Sequence, residues 1–334
     1  MFGKQIGIDL GTMNILVYVR GRGIVIQEPS VVAISIKKNE TIAFGKNAQS
    51  MLGRVSDAIE VVHPLRKGVI ADYQATQEML DYYIKKVVGR VSIFSNELMV
   101  STPVGATSVE RRAVQKAARQ TIGRKAYVIE EPLAAAIGAG LPIDTPTGNM
   151  ILNIGGGTSE SAVISMNGIV NSNSVRVAGT KFDDDIASYI RRKYSLVVGK
   201  QTAEQIKIQL GSALPLDDEL TVVIKGRDQI SGLPRTIKLT TQEVTEALTE
   251  ALNTIVNMVK VVLEETPPEL ASDIIDRGIM ITGGGALLRN IDAFMTQYTH
   301  VPCYAIDNPL VCVALGAGRA LQIRWQLEQA RSYD

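Results

Sequence analysis

Residues 6–19 read IGIDLGTMNILVYV, and residues 150–165 read MILNIGGGTSESAVIS. Each stretch is a short apolar run, a polar turn rich in Gly and Thr, and a second apolar run, which is the signature of a β-hairpin. Asp9 and Asn153 occupy the same place in the two copies, at the end of the first run. Backbone N–H groups held in a concave, glycine-rich turn form a cradle for phosphate, because glycine allows close approach and unusual dihedrals. Gly11, Thr12, Met13 and Asn14 make one such turn, and Gly155, Gly156, Gly157 and Thr158 make the other. A single glycine turn says little, but two in duplicated positions point to a pair closing on one ligand.

A second repeat supports the first. PLAAAIGAG (132–140) and PLVCVALGAG (309–318) read as small-residue helices, each opened by a proline, a residue favoured in the first helical turn. Each half also has a strand feeding a helix. In the first, 97–103 leads to a helix over 108–120. In the second, 278–282 meets Gly283-Gly284-Gly285 and a helix over 286–298. Alternating strands and helices predict an α/β fold with duplicated sheet-and-helix cores. Residues 33–65 and 183–245 read as inserted subdomains, and a final helix over 311–331 returns to the first half.

Bulk properties agree. The chain has 334 residues, 46% of them hydrophobic and 21% charged, so two domains are expected. Aromatics are only 5%, so the core must be built from Ile, Val, Leu and Ala. A net charge of +1 speaks against a nucleic-acid partner. The short basic run Arg191-Arg192-Lys193 reads as a solvated helix face. Two cysteines and two histidines, scattered along the chain, support neither a zinc site nor a disulfide framework. No apolar run is long enough for a membrane-spanning helix, and the N-terminus has no signal-peptide core, so a cytoplasmic location is expected.

There is no GxxxxGK[ST] motif, and Gly283-Gly284-Gly285 lacks the GxGxxG spacing. That triplet is either a simple strand-to-helix turn or a backbone surface for a base and ribose-phosphate. Asp9 either caps its turn or holds waters around a Mg²⁺ that bridges phosphates. In Glu130-Glu131-Pro132, an acid either favours the helix start or orients an attacking water. Glu204 and Lys207 share a helical face, as a surface ion pair or as ribose contacts.

Together these segments resemble the MreB family of bacterial actins, within the superfamily of actin, sugar kinases and heat-shock chaperone ATPases. IGIDLGTMNILVYV, EPSVVAI, PLRKGVIADY, VERRAV, EEPLAAAIGAG, IGGGTSESAVIS, TAEQIKI, ITGGGALLRNID and PLVCVALGAGRAL stand in the family's order and span nearly the whole chain. The resemblance implies an actin-like fold. Its first large domain would comprise 1–32, 66–145 and about 310–334, with a small subdomain at 33–65. Its second would comprise 146–182 and 246–309, with a small subdomain at 183–245.

The resemblance also implies ATP and Mg²⁺ in the interdomain cleft, and an ATPase coupled to polymerisation. Gly11–Asn14 and Gly155–Thr158 fall on the phosphate loops, and Asp9 on the metal-associated aspartate. Glu131 falls on the residue that positions the hydrolytic water, so Glu131, Asp9, Asn153 and Thr158 form the expected catalytic set. Glu204 and Lys207 fall on the ribose contacts, and Gly283–Gly285 on the adenosine motif. The implied partners are further copies of the chain in protofilaments, the inner face of the cytoplasmic membrane and the cell-wall elongation proteins. Only three residues precede Lys4, so the expected membrane contact is an apolar loop, with Ile93 and Phe94 at its tip. One departure stands out: the family's second loop begins with Asp, and here it is Asn153. The amide keeps the shape but loses a charge and cannot accept a proton, so weaker Mg²⁺ handling or slower hydrolysis is expected. Thr180 likewise stands where many relatives carry Asp. The competing readings are a small-molecule kinase, for which no acceptor motif is found, a chaperone ATPase, for which no substrate-binding domain is expected in this chain, and a paralogue that polymerises with impaired hydrolysis.

Overall fold

The computed structural model describes residues 3–89, 96–122 and 125–331. The first half begins with β1 (Gln5–Leu10), β2 (Asn14–Val19) and β3 (Gly23–Pro29), in which Ile6, Ile8, Ile15 and Val17 are fully buried. Then come β4 (Val32–Ser35), β5 (Glu40–Phe44), α1 (Gly45–Gln49) and β6 (Ile59–Val62). A tight hairpin of β7 (Leu65–Arg66) and β8 (Val69–Ile70) leads to α2 (Tyr73–Val88), whose start is capped by the Asp72 carboxylate accepting the Ala75 N–H at 2.9 Å. The half closes with β9 (Glu97–Thr102), α3 (Ser108–Ile122), β10 (Ala126–Glu130) and α4 (Glu131–Ala139). Gly140, left-handed at φ 77°, ends α4.

The second half repeats the plan with β11 (Asn149–Ile154), β12 (Ser159–Ser165) and β13 (Gly168–Val175). There follow α5 (Gly179–Tyr194), β14 (Leu196–Val197), α6 (Lys200–Leu210), β15 (Thr221–Asp228) and β16 (Pro234–Thr240). The long helix α7 (Thr241–Glu264) starts on a reciprocal cap between Thr240 and Glu243. Then α8 (Pro268–Arg277), β17 (Ile279–Thr282), a 3₁₀ turn (Gly284–Leu287), α9 (Ile291–Thr299), β18 (Cys303–Ala305), α10 (Cys312–Ala320) and α11 (Arg324–Arg331) complete the described chain.

The duplication holds at the level of topology. One sheet runs β10-β9-β1-β2-β3 and the other β13-β12-β11-β17-β18. In each, the hairpin strands pair antiparallel, and the first of them pairs parallel with the strand that follows the insertion. Both sheets carry a register shift in the second hairpin strand, between Val17 and Tyr18 and between Val163 and Ile164. The inserted stretches form their own three-stranded sheets, β5-β4-β6 and β14-β15-β16. The core is aliphatic as composition requires, with Tyr83 and Phe182 the aromatic side chains among its largest fully buried groups.

The two small-residue helices, α4 and α10, pack on each other. A Cβ on Gly316 would lie 1.7 Å from the Ala134 carbonyl oxygen, and one on Gly138 would lie 1.9 Å from that of Cys312. The backbones therefore meet directly, which only glycine permits.

Three expectations need correction. The final helix is two helices, α10 and α11, interrupted at 321–323; α10 packs on β1 and α4, while α11 reaches β13. The helix expected over 286–298 is a 3₁₀ turn and then α9, separated by Asn290 in the left-handed region at φ 57°. Pro309 does not open α10. It sits three residues upstream, where its carbonyl accepts the Gly283 N–H at 3.1 Å and the Thr282 hydroxyl at 3.0 Å.

Candidate functional site

The ends of β1 and β11 face one cleft of about 500 Å³ between the halves. Asp9 and Asn153 are each the fifth residue of a six-residue strand, so both present their side chains at the rim. All the residues singled out for phosphate, catalysis, ribose and adenosine line this cleft: Asp9, Gly11–Asn14, Glu131, Asn153, Gly155–Thr158, Glu204, Lys207 and Gly283–Gly285. Ile93 and Phe94 lie outside the described residues.

The two glycine loops interlock. A Cβ on Gly156 would meet Met13 Cγ at 2.4 Å, and one on Gly157 would meet Thr12 Oγ1 at 2.4 Å. The hairpin turn between β7 and β8 joins them: Gly68 N–H donates to Thr12 Oγ1 at 2.9 Å, and a Cβ on Gly68 would lie 2.7 Å from Thr158 Cγ2. The second loop is closed by Gly155 N–H on the Thr158 carbonyl at 2.9 Å. It is buttressed by the start of α5, where the Gly179 and Thr180 N–H groups donate to the Gly155 and Gly156 carbonyls at 3.1 and 2.8 Å. Thr180 thus contributes its backbone to this loop. These bare backbones form the kind of cradle that suits a phosphate chain.

The carboxyl groups sit beneath the loops. Asn153 Nδ2 donates to Glu131 Oε2 at 3.3 Å. Ser101 donates to Asp9 Oδ1 at 3.2 Å. Burial pushes Asp9 up to about 7, against that hydrogen bond. Glu131 is pushed well above the carboxylate range, by burial first and then by the negative charges of Glu160 and Asp9. Groups tuned this way gather where charge is to be bound or moved. No cluster of three or more metal-ligating side chains occurs among the described residues. The carboxylates that line the cleft, Asp9, Glu131 and Glu204, are hard oxygen donors of the kind that suits Mg²⁺.

Lys207 is engaged within the protein. Its ammonium lies 2.8 Å from Asp183 Oδ1 and donates to the Gly179 carbonyl at 3.1 Å, tying α6 to the start of α5. Burial raises Asp183 to about 6 even with Lys207 opposing it. Ile208, next to Lys207 on α6, and Leu287 also line the cleft, are exposed at 67% and 62%, and offer apolar surface to a flat ring. Sequence reading passed over Gly68, Ile208 and Leu287. The Lys67-Gly68 dipeptide between short strands was a readable hairpin signal, whereas a lone Ile on a helix is not informative until its surroundings are known.

The family model for MreB/Mbl proteins matches residues 3–329. The chain belongs to the MreB/Mbl family. It is 48% identical over 328 residues to the cell shape-determining protein MreB of Escherichia coli, covering 97% of this chain and 94% of that protein. It is 47% identical over 322 residues to the cell shape-determining protein Mbl of Bacillus cereus, covering 96% and 97%. Among solved structures it resembles MreB5 of Spiroplasma citri bound to ADP, with a TM-score of 0.92, 39% identity and 98% of both chains covered. The same MreB5 bound to AMPPNP matches at a TM-score of 0.90 and 39% identity, covering 99% of both chains. The actin-like fold expected from the resemblance is therefore the fold of this chain, and the cleft lies on a scaffold that holds nucleotide in a relative. No helix among the described residues is long and apolar enough to cross a membrane.

Proposed function

We propose that this chain is a nucleotide-dependent, filament-forming cytoskeletal protein of the bacterial actin type, which binds ATP with Mg²⁺ in the cleft and hydrolyses it slowly. The observation that carries the reading is the convergence of both glycine loops, Gly283–Gly285 and the carboxyls Asp9 and Glu131 on a single cleft between duplicated halves. In this reading Gly11–Asn14 and Gly155–Thr158 cradle the phosphates, with Thr158 closing the second loop beside the reacting end. Glu204 contacts the ribose, Lys207 braces that wall, and Gly283–Gly285 underlies the adenosine. Bound Mg²⁺ would offset phosphate charge. Glu131, oriented by Asn153, positions the attacking water.

We assign the large domains and small subdomains the boundaries that the family resemblance implies, with a cleft between them that responds to nucleotide. Copies of the chain assemble into protofilaments at the inner face of the cytoplasmic membrane, where they guide cell-wall elongation proteins and rod shape. Ile93 and Phe94 supply the lipid contact. One such contact is weak, and a filament multiplies it. The name of the curated relatives, cell shape-determining protein, supports this role. A second reading, a family member that polymerises without efficient turnover, is favoured by Asn153 where the family carries Asp.

Sedimentation of the chain with ATP, ADP and liposomes, alongside phosphate release, tests the proposal. Nucleotide-dependent pelleting without any small-molecule phosphoryl acceptor is the expected result. A chain that stays monomeric under every condition would overturn it.

A further inference from the structure

Glu160 belongs to none of the loops above, yet it is fully buried as the second residue of β12. It lies directly opposite Asn153 in the β11–β12 ladder, so both side chains leave the same face of the sheet. Its Oε1 accepts the Val104 N–H from the β9–α3 loop of the first half, and the Ser174 hydroxyl, each at 3.1 Å. The Val104 carbonyl is held in turn by Arg111 Nη2 at 3.2 Å, and Arg111 Nη1 pairs with Glu130 at 2.7 Å. Glu130 is the residue before Glu131. One chain of contacts thus runs from the second half, through a single residue of the first, Val104, to the backbone that carries Glu131. The other oxygen, Glu160 Oε2, is buried without a hydrogen-bond partner.

We propose that Glu160 is a positioning residue for Glu131: it fastens the two halves through the Val104 amide while its second oxygen stays buried without a partner. This rests on the proposed nucleotide turnover for its kinetic consequence, but not for the fastening itself. An ionised Oε2 would be a buried charge with no partner, which is costly. Three charged groups bear on it: Glu131, Glu130 and Arg111. Glu131 interacts with it through like charge, and Asp9 bears on Glu131 in the same way. Glu130 raises it and Arg111 lowers it, but burial outweighs both, as well as the Ser174 and Val104 hydrogen bonds, and pushes Glu160 up to about 8. A neutral Glu160 leaves Glu131 free of one more negative neighbour. As pH rises past that range, Glu160 ionises and its negative charge acts on Glu131.

The sign for stability follows from the raised value. Between about 4.5 and about 8 the folded chain keeps a proton that the unfolded chain releases, so folding weakens with rising pH across that window. Glu160→Gln keeps the shape and the acceptor for Val104 but cannot ionise. The test uses the full chain with and without the substitution. Melting temperatures are followed from pH 5 to 8.5, with ATP hydrolysis over the same range. The expected result is a Tm difference, Glu160→Gln minus parent, that grows with pH, together with loss of part of the alkaline fall in kcat while KM stays within about twofold. In Glu160→Ala the Val104 amide should lose about tenfold of its protection from hydrogen exchange, the cost of an unpaired buried donor. A Tm difference independent of pH, or a Val104 amide equally protected in Glu160→Ala, would overturn the proposal. If the parent chain binds ATP but hydrolyses none, the turnover reading fails, and the melting and exchange results still decide the role of Glu160.

Discussion

Asn153 Nδ2 donates to Glu131 Oε2 at 3.3 Å, so the residue that stands where the family resemblance implies an aspartate is in direct contact with the expected water-positioning carboxyl. An amide here both restrains Glu131 and spares it a third acidic neighbour. An aspartate would repel Glu131 in the empty cleft while offering Mg²⁺ a second carboxylate.

Asn153→Asp should therefore raise phosphate release on the order of tenfold at saturating Mg²⁺, and make the rate depend more steeply on Mg²⁺. Hydrolysis measured in parallel for both forms checks this, and equal rates would sink the idea.

Asp9 predicts a pH effect on the nucleotide-free chain. Its folded value of about 7 stands above the ordinary carboxyl value of 3.8, so the folded state holds the extra proton and stability falls as pH rises from about 4 to about 7. Asp9→Asn should flatten that part of the melting profile. It should also weaken the Mg²⁺ dependence of nucleotide binding, read by titration with a fluorescent ATP analogue.

The interlocked loops predict intolerance at Gly157. A Cβ there would lie 2.4 Å from Thr12 Oγ1 and 3.0 Å from the Gly68 nitrogen. Gly157→Ala should cost about 1–3 kcal/mol by overpacking and lower nucleotide affinity by tenfold or more. Gly168→Ala, whose nearest neighbours would be at 3.8 and 3.9 Å, should change melting and binding little. Similar behaviour of the two variants would show that the loops do not press together.

Lys207→Met removes the partner of Asp183, a side chain only 9% exposed. The loss should be about 1–3 kcal/mol in urea denaturation, less than for a fully buried pair because Lys207 is 19% exposed. Adding Asp183→Asn should recover most of it. A Lys207→Met chain that loses nucleotide affinity but no stability would mark the lysine as a ligand contact rather than a brace.

The parts of the site legible in the sequence are those made by local chemistry. Glycine turns between alternating apolar runs specify hairpins, and their repetition placed Asp9 and Asn153 in equivalent positions before any contact was known. The family pattern then brought Glu131, Glu204, Lys207 and Gly283–Gly285 to the same ligand, and the structure sets all of them around one cleft. The errors in secondary structure fell where helical periodicity runs on through a break. Asn290 takes a left-handed conformation within an otherwise helical pattern, and 321–323 interrupt an apolar stripe that continues into α11.

By itself the sequence determined the duplicated α/β plan, the aliphatic core and the loops that line the cleft, because turn residues and apolar periodicity act over a few neighbours. Tertiary structure alone decided which groups meet across the halves. Gly68 is wedged between Thr12 and Thr158, Lys207 is turned onto Asp183 and Gly179, and Glu160 is buried against Val104. These contacts join residues far apart in the chain. Their energies, and the raised values of Asp9, Glu131 and Glu160, depend on how much water the assembled halves exclude, which no local pattern records. The two glycine hairpins could be read as a phosphate grip from their residues, but the carboxyl cluster beneath them exists only once the two sheets come together.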